Sequence, residues 1–256
     1  MKETVKRVKP RSGFKLNFMN MFGLGWLPII NSLLTSNYMF NLMVFLDFMY
    51  NVLPRDKDNS NKCYPIMLQD LFENFRTCSF SATQVVIIGK EPFTSTNATG
   101  IPFANPVNVS GPVEGASILI DRCIRNTYNT DKLTVKYRDE TMYSWAGQGV
   151  LLLDAASTSM GKINNAHSKY WKQFTRSIIT TLSNKKDNII FVFWGKEASY
   201  FQRYVDGTKH DKLFYCHPSD MVKQNKDWNC PNFKQIDEII KKKYGEEEYD
   251  KKRIYW

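Results

Sequence analysis

The chain has 256 residues, of which 43% are hydrophobic and 14% aromatic. This composition excludes a disordered or fibrous protein, because there is ample apolar surface to build a core. Thirty-five Lys and Arg against 25 Asp and Glu give a net charge of +10, which favours a polyanionic partner such as nucleic acid or an anionic membrane surface. The charge is equally consistent with a basic soluble protein encoded by an AT-rich genome.

The five cysteines are odd in number, and no two of them form a C-x-x-C pair. Neither a disulfide framework nor a zinc site is therefore indicated, and we expect a reducing compartment. The basic start at residues 1–20, which we expect to be flexible, precedes no uninterrupted apolar region or small-residue cleavage site and so predicts no signal peptide. We expect an intracellular protein, located in the nucleus or, if it is viral or bacterial, in the cytoplasm.

The first predicted elements are two helices within a strongly apolar segment at residues 18–50. Polar residues break this segment before it reaches the roughly 18 apolar residues that a membrane span requires, so no membrane association is expected. Ile29, Leu33 and Leu34 have the spacing of one helix face, and residues 39–49 continue as a second helical pattern. A third helical pattern is predicted at residues 67–75.

Four short apolar runs then have the pattern of strands buried on both faces of a parallel sheet. These runs are residues 85–88, 150–153, 189–194 and 213–216. A helical pattern at residues 170–182 separates the second run from the third, which indicates right-handed parallel crossovers. The sequence therefore predicts an α/β protein with one domain over residues 1–256, built on a central four-stranded, mostly parallel sheet flanked by helices.

Polar residues that suit catalysis follow three of the predicted strands. Glu91, Asp154 and His217 each come one to three positions after a strand. Because the carboxyl ends of parallel strands meet at the same edge of a sheet, we expect these three side chains to border one crevice.

Short motifs around these residues occur in a characteristic order. The chain reads GKEPF at 89–93, GIPF at 100–103, LLLDA at 151–155, NAH at 165–167, WKQF at 171–174 and HPSDM at 217–221. The order and spacing resemble the family 1 type of uracil-DNA glycosylases, whose members carry GQDPY, GxxF, LLLNA, NSH, WxxF and HPSPL. The segments PRD at 54–56, WAGQGV at 145–150 and IYW at 254–256 also resemble family landmarks. The chain is identified as a divergent member with substituted active-site motifs.

The resemblance implies a DNA glycosylase that flips uracil out of DNA and hydrolyses its N-glycosidic bond during base excision repair. Such an enzyme requires no metal or cofactor. Its implied partner is uracil-containing DNA, single- or double-stranded, together with a replication or repair protein. A monomer is expected.

The resemblance also implies roles for individual residues. Glu91 stands where the family has the acid that orients the attacking water, and His217 stands where a histidine stabilises the negative charge on the departing base. Phe103 is similar to the aromatic residue that stacks on the flipped base, and Phe93 replaces the tyrosine that excludes the methyl group of thymine. Lys90 replaces a glutamine at the base pocket, where it either holds a phosphate or is solvated.

Further residues are expected to contact DNA. Met221 occupies the position of the leucine that fills the vacated base stack, and an unbranched thioether can serve as such an apolar plug. Pro92, Ser219 and His167 fall on the motifs that contact the DNA in the family.

Two substitutions put the chemistry of the family in question. The extra methylene of Glu91 relative to aspartate displaces its oxygens by about 1 Å or more, which predicts a loss of roughly a hundredfold in rate unless the loop has shifted. Asp154 replaces the asparagine that donates to O4 of uracil and accepts from its N3–H. An ionised aspartate cannot donate, so it suits the amino group of cytosine better unless burial protonates it.

Three alternatives therefore remain open from the sequence. The chain is a uracil glycosylase with a shifted pocket, an enzyme with an altered base preference, or a catalytically impaired homologue. In the last case it acts as a DNA-binding or protein-interaction module.

Overall fold

The computed structural model describes residues 21–53, 62–108, 113–129, 140–161 and 163–256. The basic start at residues 1–20 and the PRD motif at residues 54–56 lie outside the described residues. Within them the chain forms a central parallel sheet with helices on both faces, which confirms the predicted α/β class.

Six strands lie in two sheets among the described residues. They are β1 (Cys63–Tyr64), β2 (Val85–Gly89), β3 (Val150–Asp154), β4 (Ser159–Met160), β5 (Ile190–Trp194) and β6 (Asp211–Tyr215). The main sheet has the order β3-β2-β5-β6, and all of its neighbouring strands are parallel. It is wholly rather than mostly parallel, since the antiparallel pair β1–β4 forms a separate small sheet.

Ten helices among the described residues precede, connect and follow these strands. They are α1 (Leu27–Leu34), α2 (Asn37–Asp47), α3 (Glu73–Thr77), α4 (Gly115–Tyr128), α5 (Tyr143–Gly147), α6 (Ser168–Lys185), α7 (Lys196–Ser199), α8 (Pro218–Lys223), α9 (Asn232–Tyr244) and α10 (Glu246–Lys252). A π-helical turn, Phe48–Val52, extends α2, and 3-10 turns lie at Leu68–Asp70 and Tyr200–Tyr204.

The sheet separates two hydrophobic clusters, one on each face. Strand β2 contributes to both clusters. Val86 and Ile88 belong to the first cluster, whereas Val85 and Ile87 belong to the second. Successive side chains of a strand point to opposite faces, so a central parallel strand must be apolar at every position.

Two helix predictions differ from the observed structure. In α1 the most buried side chains are Ile30 and Leu34, while Leu33 is only partly buried against the first cluster. The pattern at residues 67–75 divides into the 3-10 turn and α3, because Phe72 leaves helical geometry with φ −121° and ψ 29°. Its ring instead stacks on Phe22, with 4.1 Å between the ring centroids.

No single helix among the described residues is long and apolar enough to cross a bilayer. Residues 27–34 and 37–52 reach that length and composition only as a pair, and the chain bends by 86° between them.

All five cysteines are free thiols. Four are buried and Cys216 is half-buried. Burial raises the pKa of every one of these thiols, to about 12 for Cys63 and about 11 for Cys78. They therefore serve as small apolar side chains in the packing.

Candidate active site

A cavity of about 190 Å³ opens beside the carboxyl ends of β2 and β3. The structure brings Glu91, Asp154 and His217 together in its wall, as the strand order predicts. The other predicted site residues that line it are Lys90, Pro92, Phe93, Phe103 and Ser219. Two further predicted residues, His167 and Met221, are not among its lining residues.

Glu91 is held at the cavity by the backbone of the loop before α6. Its two carboxylate oxygens accept from the backbone N–H of Asn165 at 3.1 and 3.0 Å. Burial raises the pKa of Glu91, and this rise is opposed by the Asn165 N–H and the nearby positive charge of Lys90. The carboxylate is thus oriented by a main-chain donor, which any residue other than proline at position 165 retains.

Lys90 turns toward Glu91 rather than toward solvent. Its Nζ lies 3.8 Å from Oε1 of Glu91, and 14% of its side chain is exposed. This low exposure argues against the solvated lysine, while the phosphate contact expected from the sequence stays a prediction. Lys90 is an ion-pair partner of Glu91 inside the pocket.

Asp154 ends strand β3 as a buried acid, 5% exposed. Burial, reinforced by the negative charge of Glu91, raises the pKa of Asp154 well above its ordinary value. The negative charge of Glu91 thus favours the protonated form of Asp154. A neutral carboxylic acid presents one C=O acceptor and one O–H donor, the same pair that an amide side chain presents.

His217 caps the N-terminus of α8 with its own ring. Its Nδ1 accepts from the backbone N–H of Ser219 at 3.2 Å and lies 2.7 Å from the Ser219 hydroxyl. Burial, together with the positive charge of Lys90, lowers the pKa of His217 to about 4, so the ring is neutral at pH 7. Because a backbone N–H can only donate, the proton of the neutral ring sits on Nε2. That buried Nε2 has no hydrogen-bond partner among the described residues, which leaves one N–H available to a bound molecule.

Phe103 supplies an aromatic surface between His217 and the second cluster. Its ring centroid lies 5.3 Å from that of Trp194 and 5.5 Å from that of His217. Gly89 permits this packing, since a Cβ there would lie 2.7 Å from both Oδ1 of Asp154 and Cζ of Phe103. The glycine of the GKEPF motif is therefore required by the closeness of the acid and the ring.

Comparison with known proteins agrees with this geometry. The model of the uracil DNA glycosylase superfamily matches residues 75–241. A uracil-DNA glycosylase of Aliarcobacter butzleri is 31% identical over 181 residues, covering 70% of this chain and 82% of the relative. One from Clostridioides difficile is 30% identical over 225 residues, covering 86% and 92%. The chain belongs to the uracil-DNA glycosylase superfamily. The predicted family and its class of hydrolytic enzyme are confirmed.

Solved structures share the fold of this superfamily member. The mimivirus uracil-DNA glycosylase superposes with a TM-score of 0.77 at 21% identity, covering 95% of this chain and 90% of the other. The Y322L variant of that viral protein, solved in complex with UGI, superposes with a TM-score of 0.76 at 22% identity, covering 95% of this chain and 92% of the other. The wild-type UNG of Nitratifractor salsuginis superposes with a TM-score of 0.55 at 14% identity, covering 82% of this chain and 90% of the other.

One predicted DNA contact of this superfamily member needs correction. His167 is 2% exposed, and its Nδ1 lies 2.8 Å from the Thr158 hydroxyl while the ring packs edge-on against Phe45. Burial lowers the pKa of His167 to about 4, so it is also uncharged at pH 7. The ring anchors the start of α6 from within the protein and does not reach a DNA surface.

The predicted plug residue is also less exposed than the sequence suggests. Met221 lies in α8, half-buried against the second cluster. Its neighbour Val222 is 43% exposed and is the more accessible apolar side chain of this helix. The role of Met221 as a plug stays a prediction.

A third acid, Glu197, supports the glycosylase site and was not predicted from the sequence. Glu197 accepts from Nδ2 of Asn165 at 3.1 Å, while the backbone N–H of the same Asn165 holds Glu91. Glu197 also raises the pKa of Glu91 through its negative charge. Its position three residues after β5 is the same strand-end signal that identified the other acids.

Proposed function

We propose that this chain excises uracil from DNA by hydrolysing the N-glycosidic bond. The observation that carries the proposal is the cavity wall, where a neutral imidazole with a free N–H meets two carboxyl groups, one of which raises the pKa of the other through its charge. Sites in which neighbouring acids are held in different protonation states are typical of acid–base chemistry.

The target nucleotide must leave the DNA helix to enter this cavity. A base stacked in a duplex cannot reach groups as buried as Asp154 and His217, so flipping is part of the proposed reaction. Phe103 provides the surface on which the flipped base stacks. Phe93, at the cavity wall, retains the bulk that excludes the methyl group of thymine.

Asp154 reads the base as a neutral acid in this proposal. Its O–H donates to O4 of uracil, and its C=O accepts from N3–H, which reproduces both bonds of the asparagine that the family carries. The raised pKa supports this assignment because it favours the protonated form. The substitution is then compatible with uracil as long as the proton stays in place.

Bond cleavage follows from the remaining two groups. As the glycosidic bond breaks, its electron pair passes to the base, and the Nε2–H of His217 stabilises the negative charge on O2. The Glu91 carboxylate stabilises the positive charge on the sugar and orients a water toward C1′. The water delivers hydroxyl to C1′ and its proton to Glu91, from which it passes to the uracil anion. The products are free uracil and an abasic site.

Base release from defined oligonucleotides tests the proposal. We expect free uracil and alkali-labile abasic sites from single strands with one uracil, and far less release from strands with cytosine or thymine at that position. Gel analysis of strand cleavage and mass identification of the base measure both. Release of cytosine alone at neutral pH would contradict the protonated state of Asp154.

A second candidate function is a non-catalytic DNA-binding or protein-interaction module. One observation favours it: both oxygens of Glu91 are engaged by Asn165, and Lys90 adds an ion pair at 3.8 Å, so the acid has fewer free positions for water. Tight DNA binding with no base release over hours would establish this alternative, and steady release would exclude it.

Gly89→Ala should impair excision and lower the stability of the fold by roughly 1–3 kcal/mol through overpacking at a buried position. The new methyl group would displace either the Phe103 ring or the Asp154 carboxyl, and misplacement by about 1 Å can cost roughly a hundredfold in rate. Gly147→Ala is the matched control, because a Cβ at Gly147 meets nothing within 4 Å. Single-turnover rates and melting temperatures of both variants measure the effect. Equal rates for the two variants would contradict the assigned base pocket.

A further inference from the structure

Helix α6 carries a row of positive charge along one exposed face. Lys169, Lys172 and Arg176 are exposed and lie at positions i, i+3 and i+7, which share a helix face. Arg203, in the 3-10 turn after α7, is exposed beside them. We call these four residues the α6 stripe.

Two tyrosines of the same 3-10 turn lie against three of the four stripe residues. Nζ of Lys172 lies 3.9 Å and Cζ of Arg203 lies 4.4 Å from the ring centroid of Tyr200. Cζ of Arg176 lies 5.7 Å from the ring centroid of Tyr204, whose hydroxyl is 3.3 Å from that of Tyr200. The ring of Tyr200 is thus occupied by cations, so the stripe presents charge to a partner rather than a free stacking surface.

The charge of the stripe is not neutralised by neighbouring acids. Arg122, by comparison, pairs with Asp227 at 2.8 Å, and Arg125 pairs with Asp121 at 2.8 Å. None of the four stripe residues forms a salt bridge with a carboxylate in the part of the chain that the structure describes. Cations that are ordered but unpaired favour an anionic partner.

The stripe begins next to the candidate active site and leads away from it. Asn165, which holds Glu91, lies three residues before the start of α6 at Ser168. At about 1.5 Å per residue, the helix rises roughly 10 Å from Lys169 to Arg176. That length matches about three phosphate-to-phosphate steps of one DNA strand, at roughly 3.4 Å each along the axis of a duplex.

We propose that the α6 stripe binds the phosphates of the DNA strand that flanks the target nucleotide, outside the cavity. The contact is independent of base sequence, because phosphates carry no sequence information. The inference takes DNA as the partner from the proposed function but requires no catalysis. It extends the DNA contact surface beyond the loops that surround the cavity.

Charge reversal tests the stripe with DNA that contains no uracil. We compare the wild type, the double variant Lys172→Glu/Arg203→Glu, and the control Lys234→Glu/Lys242→Glu. The control changes two exposed lysines of α9 and alters the net charge equally. Fluorescence anisotropy gives the dissociation constant for a single strand of about 20 nucleotides as salt is raised from about 50 to 200 mM.

The stripe variant should bind roughly tenfold more weakly at the lowest salt. Each phosphate contact to a single strand contributes about 0.7 to the slope of log association constant against log salt concentration. The loss of two contacts should therefore reduce the magnitude of that slope by roughly 1.4. The control should keep the slope of the wild type. Equal losses in both variants would overturn the proposal, since net charge alone would then explain them, and so would an unchanged stripe variant. Because the strand lacks uracil, this result is separate from whether the chain excises a base.

Discussion

Asp154→Asn should remove the alkaline decline in uracil excision. In the wild type the neutral acid donates to O4, so excision is retained below the raised pKa of Asp154 and falls as the pH rises through it. An amide does not titrate in this range and still donates and accepts. Above that pKa the variant should therefore exceed the wild type by roughly a hundredfold or more, since an unpaired polar contact can cost that much.

The profile of kcat/KM against pH, measured on uracil- and cytosine-containing strands, gives this result directly. Asp237→Asn is the matched control, because Asp237 is a half-buried acid that accepts a hydrogen bond from the Tyr128 hydroxyl at 2.6 Å and does not line the cavity. The control should keep the alkaline limb. An Asp154→Asn profile that declines at the same pH as the wild type would show that another group controls this limb.

Glu91→Gln should reduce excision by about 10²- to 10⁴-fold. Glutamine retains the size of the side chain and can still accept from the Asn165 N–H, but it lacks the negative charge that stabilises the sugar. In the wild type excision should fall as the pH drops through the raised pKa of Glu91, because the protonated acid no longer carries that charge. This acid limb should be absent from the residual activity of Glu91→Gln.

Glu91→Asp separates the charge of this residue from its length. The shorter side chain withdraws from Asn165 and restores the acid of the family motif, so we expect faster excision than in the wild type. Single-turnover rates of the two variants on one uracil-containing strand measure both effects. A slower Glu91→Asp variant would show that the loop has adapted to the longer acid.

The sheet and its strand ends could be predicted because their causes are local. A strand buried on both faces must be apolar throughout, so residues 85–88 and 150–153 are readable without a partner. The order of parallel strands then places Glu91, Asp154 and His217 at one edge. The same reasoning, applied to the strand that ends at Trp194, would have found Glu197.

The details of the site could not be predicted, because tertiary contacts select them. The direction of Lys90 depends on where the Glu91 carboxylate lies, and the tautomer of His217 depends on the N–H of Ser219. The burial of His167 arises from Phe45, which is distant in the chain. Helix α4 was not predicted, for a different reason. Its apolar residues have helical spacing, but no motif lies on it to draw attention to the segment.

The free thiols have a practical consequence for handling and labelling the protein. The thiolate is the reactive form of cysteine, so the raised pKa values should make alkylation and air oxidation slow at neutral pH. Cys216 is the half-buried thiol and immediately precedes His217. A maleimide dye introduced under mildly alkaline conditions should attach there first, which places the label one residue from the cavity wall at His217.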